Sequence, residues 1–188
     1  MKVYVNDEIG RLNLEDGLRN VSQQRREQAL RFKYEQGRRL SVAVYLLLKE
    51  ALSEQAGIDE NPIFEYGEHG KPFIVGHADW HFSLSHCREA AVCVVSRKPV
   101  GIDVESIGRY NESVARYAMS DEELAQIERA DRPEVAFTRL WTMKESLLKL
   151  TGEGINDRMK ETLRDVPPSA FTTIERLDKN YIYTVSEL

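Results

Sequence analysis

The six residues Val100-Gly101-Ile102-Asp103-Val104-Glu105 constrain the fold of this chain more than any other stretch. Laid out as a β-strand, they put Ile102 and Val104 on one face and Asp103 and Glu105 on the other. The apolar face calls for a core, and the opposite face carries two carboxylates side by side. Like charges at neighbouring positions on one strand face repel, unless the face is fully solvated or a cation lies between them. Two readings are therefore open: an ordinary half-buried strand with a polar outer face, and a divalent-cation site.

A second stretch bears on the choice. Trp141-Thr142-Met143-Lys144-Glu145-Ser146-Leu147-Leu148-Lys149 has helical spacing, with Trp141, Leu148 and the Met143/Leu147 pair available for burial. Glu145 offers a third carboxylate, flanked by Lys144 and by Lys149 four residues on. An exposed Glu–Lys pair at that spacing is worth only about 0.2–0.5 kcal/mol and is common on helices. Three carboxylates with two lysines are also what a magnesium-bridged pyrophosphate requires, the metal taking carboxylate and phosphate oxygens and the lysines acting as point charges.

The rest of the chain reads as an alternation of helices and short strands. Residues 2–5 alternate like a strand, and a loop follows through Gly17. Helices are expected over about 21–32 and 38–55, the second with Leu40, Ala43, Val44, Leu47, Leu48, Ala51 and Leu52 as its buried stripe and Gly57 as its C-terminal cap. A short strand at 62–66 leads into the turn Gly67-Glu68-His69-Gly70-Lys71-Pro72. Strands at 80–85, 90–95 and 100–104 suggest an antiparallel run of three. Ser120-Asp121-Glu122-Glu123 is a capping-box sequence, and Pro133 and Gly152 bracket a long helix. A hairpin over 170–177 and 181–186 closes the chain. The order suggests an α+β protein made of two halves, 1–98 and 99–188, meeting near residue 98.

Composition excludes some partners. With 188 residues there is ample chain for a core, and a net charge of −5 supplies neither a basic field for nucleic acid nor a polybasic tail for a membrane surface. Any phosphate site must be a local basic pocket. The longest apolar run, Val42 to Leu48, is too short to span a bilayer, and the N-terminus lacks the apolar core of a signal peptide, so a cytoplasmic protein is expected. Cys87 and Cys93 read as small buried hydrophobes. His69, His77 and His81 fall in loop-like sequence and carry no chemistry in this reading.

Taken together, the motifs resemble those of the 4'-phosphopantetheinyl transferases, in particular the larger, surfactin-synthetase type. Gly101-Ile102-Asp103-Val104-Glu105 and Trp141-x-x-Lys144-Glu145-x-x-x-Lys149 look like the family's signature pair, and Gly70-Lys71-Pro72 and Phe82-Ser83-Leu84-Ser85-His86 match two upstream pieces. The four stand in the family's order.

The resemblance implies two similar α+β lobes with antiparallel sheets in a pseudo-dimeric arrangement, the active site between them. It implies Mg-dependent transfer of the phosphopantetheine arm of coenzyme A to a serine of an apo acyl or peptidyl carrier protein, with release of adenosine 3',5'-bisphosphate. By position, Asp103, Glu105 and Glu145 are similar to magnesium ligands, Glu145 doubling as general base, directly or through water. Lys149 would act on the transferring phosphate or leaving group, and Lys144 on a phosphate nearby. Ser85 and His86 match a pair at the 3'-phosphate, Lys71 a residue near adenine, and Arg25 and Arg38 further phosphate contacts, with Arg39 an alternative to Arg38. Glu123 is either a further acidic group or simply the capping-box glutamate. One chain would supply the whole site, so a monomer is expected. Two departures stand out: Ser22 occupies a place where a basic residue is common, and the C-terminal half is short. The competing readings are a catalytically silent coenzyme A- or carrier-binding module, and another Mg-dependent phosphoryl or nucleotidyl transferase.

Overall fold

A computed structural model describes residues 1–67, 70–108 and 110–188. It is an α+β fold of small antiparallel sheets and helices. Strand β1 (Val3–Asn6) is followed by two short helices, α1 (Leu14–Arg19) and α2 (Gln23–Leu30), and by the long α3 (Glu35–Ala56). The region expected to be loop through Gly17 is thus partly helical. Asn13 caps α1, its side chain accepting from the backbone of Glu15 and Asp16, and both acids sit in the favourable first turn. Ser22 has the same task at α2, accepting from the Arg25 backbone, which accounts for a hydroxyl where a basic residue was expected. Helix α3 begins three residues earlier than its apolar stripe suggested and ends as expected at Gly57, which takes the left-handed conformation.

Strands β2 (Phe64–Tyr66) and β3 (Pro72–Ile74) form a separate two-stranded ribbon, β3 being unforeseen. Of the turn between them, Glu68 and His69 lie outside the described residues. Next come β4 (His81–His86), β5 (Ala91–Ser96) and β6 (Val100–Ser106). These three do not form one antiparallel run. β5 pairs with β1 on one side and β4 on the other, so both its edges are taken and β6 must pair elsewhere. Its partner comes from the far end of the chain. After α4 (Glu112–Ala118), α5 (Asp121–Arg129) and α6 (Pro133–Thr151), the hairpin of β7 (Phe171–Arg176) and β8 (Tyr181–Glu187) inserts β8 between β6 and β7. No described helix is long and apolar enough to cross a membrane.

The continuous apolar run of β5 marks a strand buried on both faces. Ala91, Cys93 and Val95 share one core with Val44, Leu48 and Leu52 of α3, while Val92 and Val94 join Ile102, Val104, Tyr181 and Val185 in a second. Both cysteines are free and buried. A third core gathers α4, α5 and α6 around Met119, Ile127 and Phe137.

A polar clasp ties the two ends of the chain together. Asp7, just past β1, accepts from Lys179 Nζ at 2.7 Å and from the Tyr181 hydroxyl at 2.9 Å, with Arg176 3.6 Å away. Burial works against the Asp7 charge, but the Lys179 and Tyr181 hydrogen bonds and the neighbouring cations outweigh it and hold the pKa below the usual 3.8. A carboxyl whose folded pKa is depressed contributes stability above its unfolded pKa and loses it as pH falls through the folded one. Asp7→Asn should therefore be less stable than the parent at pH 7 by on the order of 1–2 kcal/mol. Urea denaturation should show that gap narrowing below pH 3.8 and closing further down; a gap constant with pH would remove the charge from the explanation.

Candidate active site

The site is built where β6 meets α6 and β4. Alternation on β6 turns Gly101, Asp103 and Glu105 to one side and the apolar residues to the inter-sheet core. Gly101 lets the helix come close: a Cβ there would overlap the Ser146 carbonyl oxygen and stand 2.7 Å from the Leu150 nitrogen. A glycine inside a strand is the sequence mark of such an approach. The contact brings α6 down so that Glu145 and Lys149 reach the carboxylates of β6.

Lys149 Nζ donates to Asp103 Oδ1 at 2.7 Å and to Ser85 Oγ at 2.9 Å, with the Leu84 carbonyl at 3.5 Å. Ser85 in turn donates to the same Asp103 oxygen at 2.8 Å. Asp103 is only 3% exposed, and its other oxygen, Oδ2, is buried without a hydrogen-bond partner among the described residues. Burial raises the Glu145 carboxyl to about 7; the Asp103 and Glu105 charges push the same way and Lys149 opposes them. The three carboxylates therefore sense one another.

Asp103, Glu105, Glu145 and Lys149 line a recess of about 510 Å³ with Arg25, Ser85, His86 and Trp141. The Arg25 guanidinium lies 5.1 Å over the Tyr45 ring, its Nε buried and unpartnered among the described residues. Burial lowers the His86 pKa, the Lys149 and Arg25 charges push the same way, and a backbone hydrogen bond opposes them. A smaller cavity of about 260 Å³ adjoins, sharing Leu84, Glu145 and Lys149 and bounded by Gly70, Lys71, Pro72 and Phe82. Lys71 Nζ donates to the Leu150 carbonyl at 2.7 Å, at the negative end of α6.

The structure thus gathers Asp103, Glu105, Glu145, Lys149, Ser85, His86 and Arg25 around one recess and Lys71 beside it. Three of the basic residues singled out in the sequence, Lys144, Arg38 and Arg39, lie elsewhere. Lys144 is fully buried on another side of α6, paired with Glu123 at 2.9 Å and donating to the Met159 carbonyl at 2.7 Å. Its charge is committed there, out of reach of a phosphate in the recess. Glu123 completes the capping box with Ser120 as well. Arg38 donates to the Phe32 carbonyl at 2.9 Å and is absent from the recess wall, and Arg39 is held by Glu35 and the carbonyls of Gly10 and Leu12. The resemblance assigns Ser85 to a phosphate; in the structure its hydroxyl donates to Asp103 and accepts from Lys149. Trp141, read from sequence as a buried residue, forms part of the wall.

The chain is thus an α+β protein that brings carboxylates and cations together where two sheets meet a long helix. The profile of the 4'-phosphopantetheinyl transferase superfamily matches residues 99–185. A 4'-phosphopantetheinyl transferase of Bacillus subtilis is 33% identical over 139 residues, 72% of this chain and 62% of that protein. The transferase gsp of Aneurinibacillus migulanus is 32% identical over 88% of this chain and 65% of its own, and psf-1 of Bacillus pumilus 33% over 81% and 66%. The matches thus span a little under two thirds of these relatives. The chain belongs to the 4'-phosphopantetheinyl transferase superfamily.

Gly101→Ala should drive α6 off β6 and separate Lys149 from Asp103. The expected loss is roughly 1–3 kcal/mol of stability by chemical denaturation, together with loss of whatever activity the recess supports; an unchanged protein would mean the helix can withdraw without cost.

Proposed function

We propose that this chain transfers the 4'-phosphopantetheine arm of coenzyme A to a serine hydroxyl of an apo acyl or peptidyl carrier protein and releases adenosine 3',5'-bisphosphate. The observation that carries this reading is the convergence of Asp103, Glu105, Glu145 and Lys149 with Arg25 and His86 on one recess. In the reaction the serine oxygen bonds to the phosphorus that bears the pantetheine, and the bond from that phosphorus to the bridging oxygen breaks.

The residues fit a magnesium ion, although no group of three His, Cys, Asp or Glu side chains among the described residues is already drawn together to hold one. Asp103 Oδ2 is a buried oxygen without a partner among the described residues, and carboxylate oxygens are the donors a hard cation takes. Asp103, Glu105 and Glu145 would hold it, and when bound it would neutralise pyrophosphate charge. Glu145 takes the proton from the attacking serine hydroxyl, directly or through one water. Lys149 compensates charge on the phosphate as the bridging bond breaks. Arg25 and His86 bind the phosphates of coenzyme A, and Lys71 borders its nucleotide end.

We further infer that residues 1–98 and 99–188 act as two lobes of similar build with the site at their junction. The parallel between the two three-stranded antiparallel sheets, one packed with α3 and one with α6, supports this. The chain supplies every group named, which fits a monomer acting in the cytoplasm without nucleic acid or membrane as partner.

Intact mass of an apo carrier protein after incubation with this chain, coenzyme A and magnesium tests the proposal. The carrier should gain one phosphopantetheine arm, and a chelator should prevent it. Asp103→Ala should reduce the rate at least about a hundredfold while remaining folded. His86→Ala should raise the KM for coenzyme A far more than that for dephospho-coenzyme A. Binding of coenzyme A with no mass gain on any of several carriers would leave a silent binding module.

A further inference from the structure

Lys149 stands where the cation of the proposed reaction would act. Its ammonium donates to Asp103 Oδ1 at 2.7 Å and to Ser85 Oγ at 2.9 Å, with the Leu84 carbonyl at 3.5 Å, and is thus engaged without any ligand. Asp103 is unevenly used: Oδ1 accepts from both Lys149 and Ser85, and buried Oδ2 accepts from nothing among the described residues. A half-satisfied buried carboxylate is costly unless a positive charge stands against it, and here that charge is Lys149.

We propose that Lys149 is the resident counter-cation of the carboxylate cluster, and that a divalent cation at Asp103 and the Lys149 ammonium exclude one another. The inference rests on the function proposed above and adds to it an order of events. A dication ligated by Asp103 would share that carboxylate with the Lys149 ammonium and, as a like charge drawing on the same anion, would weaken its hold on the lysine. Loading the cation therefore releases Lys149. The side chain lines both the central recess and the adjoining cavity, so its freed head turns to whatever anion occupies them. The lysine is thus passed from Asp103 to the substrate phosphate, and cation loading prepares coenzyme A binding. Ser85, which donates to Asp103 and accepts from Lys149, is the positioning residue that keeps the resting pair aligned.

The test reads Lys149 directly, without turnover. Ammonium protons held by Asp103 and Ser85 exchange with water more slowly than those of a free lysine and give a side-chain ¹H–¹⁵N signal, assigned by its disappearance in Lys149→Met. In the cation-free chain, without coenzyme A or carrier, that signal should be present. It should vanish in Asp103→Asn, and it should vanish or move in the parent chain on titration with magnesium ions, as the melting temperature rises. A signal that persists unchanged while magnesium raises the melting temperature would overturn the exchange and leave the proposed function standing. No signal in the cation-free chain would overturn it too. Absence of any response to magnesium, in signal or in melting, would overturn the exchange and count separately against the metal in the proposed function. The parent titration decides these outcomes even if Asp103→Asn does not fold.

Discussion

The close contact of α6 with β6 at Gly101 is the constraint on which the site depends. A hydrogen in place of a methyl group lets the helix backbone reach the strand backbone, and the two elements then share side chains across a short gap. Asp103 and Lys149 meet at 2.7 Å because of that approach. Nothing in Asp103 or Lys149 alone would ensure it. Long side chains tolerate some play, but a buried carboxylate with an uncompensated charge does not, so the backbone contact and the ion pair reinforce each other. Cooperation of this kind lets a site with several like charges persist inside a folded chain.

The serines of β4 solve the neighbouring problem of how two sheets meet without stranding polar groups. β4 is an edge strand of the first sheet and β6 an edge strand of the second, and an edge exposes backbone donors that need partners. Ser83 Oγ accepts from the Ile102 nitrogen at 3.0 Å, and Ser85 donates to Asp103 further along the two strands. The alternation of β4 puts both hydroxyls on the same face, and Phe82 and Leu84 on the other. A short sequence, Phe82-Ser83-Leu84-Ser85, therefore joins the core against α3 with one set of side chains and stitches the sheets together with the other.

Much of this was legible in the sequence because it is written in short-range periodicity. The apolar stripe of α3, the capping box at Ser120, the bracketing Pro133 and Gly152 and the closing hairpin all follow from local chemistry, as does the sharing of a face by Asp103 and Glu105. Strand partnership was not legible. β5 and β6 are neighbours in sequence, yet β1 reaches β5 from the start of the chain and β8 reaches β6 from its end, choices made by long-range packing. The basic residues were the hardest to read. Arg25 and Arg38 look alike in a sequence, and only the fold sets one against Tyr45 at the recess and the other against a carbonyl of its own connection.

The two lysines flanking Glu145 make the point in helical terms. Positions 144 and 149 are five residues apart, which at about 100° per residue separates their directions by roughly 140° around the helix. If one points into the recess, the other cannot. Lys149 takes the recess side with Glu145, four residues before it and hence on the same face. Lys144 is then turned toward α5, where a bare ammonium would be untenable, and Glu123 and the Met159 carbonyl are the partners that make its burial possible. The Glu123–Lys144 pair fixes α6 against α5 from one side while Gly101 fixes it against β6 from another. Rotation of α6 is held between these two contacts, so a lysine remote from the recess helps to determine where Glu145 and Lys149 point.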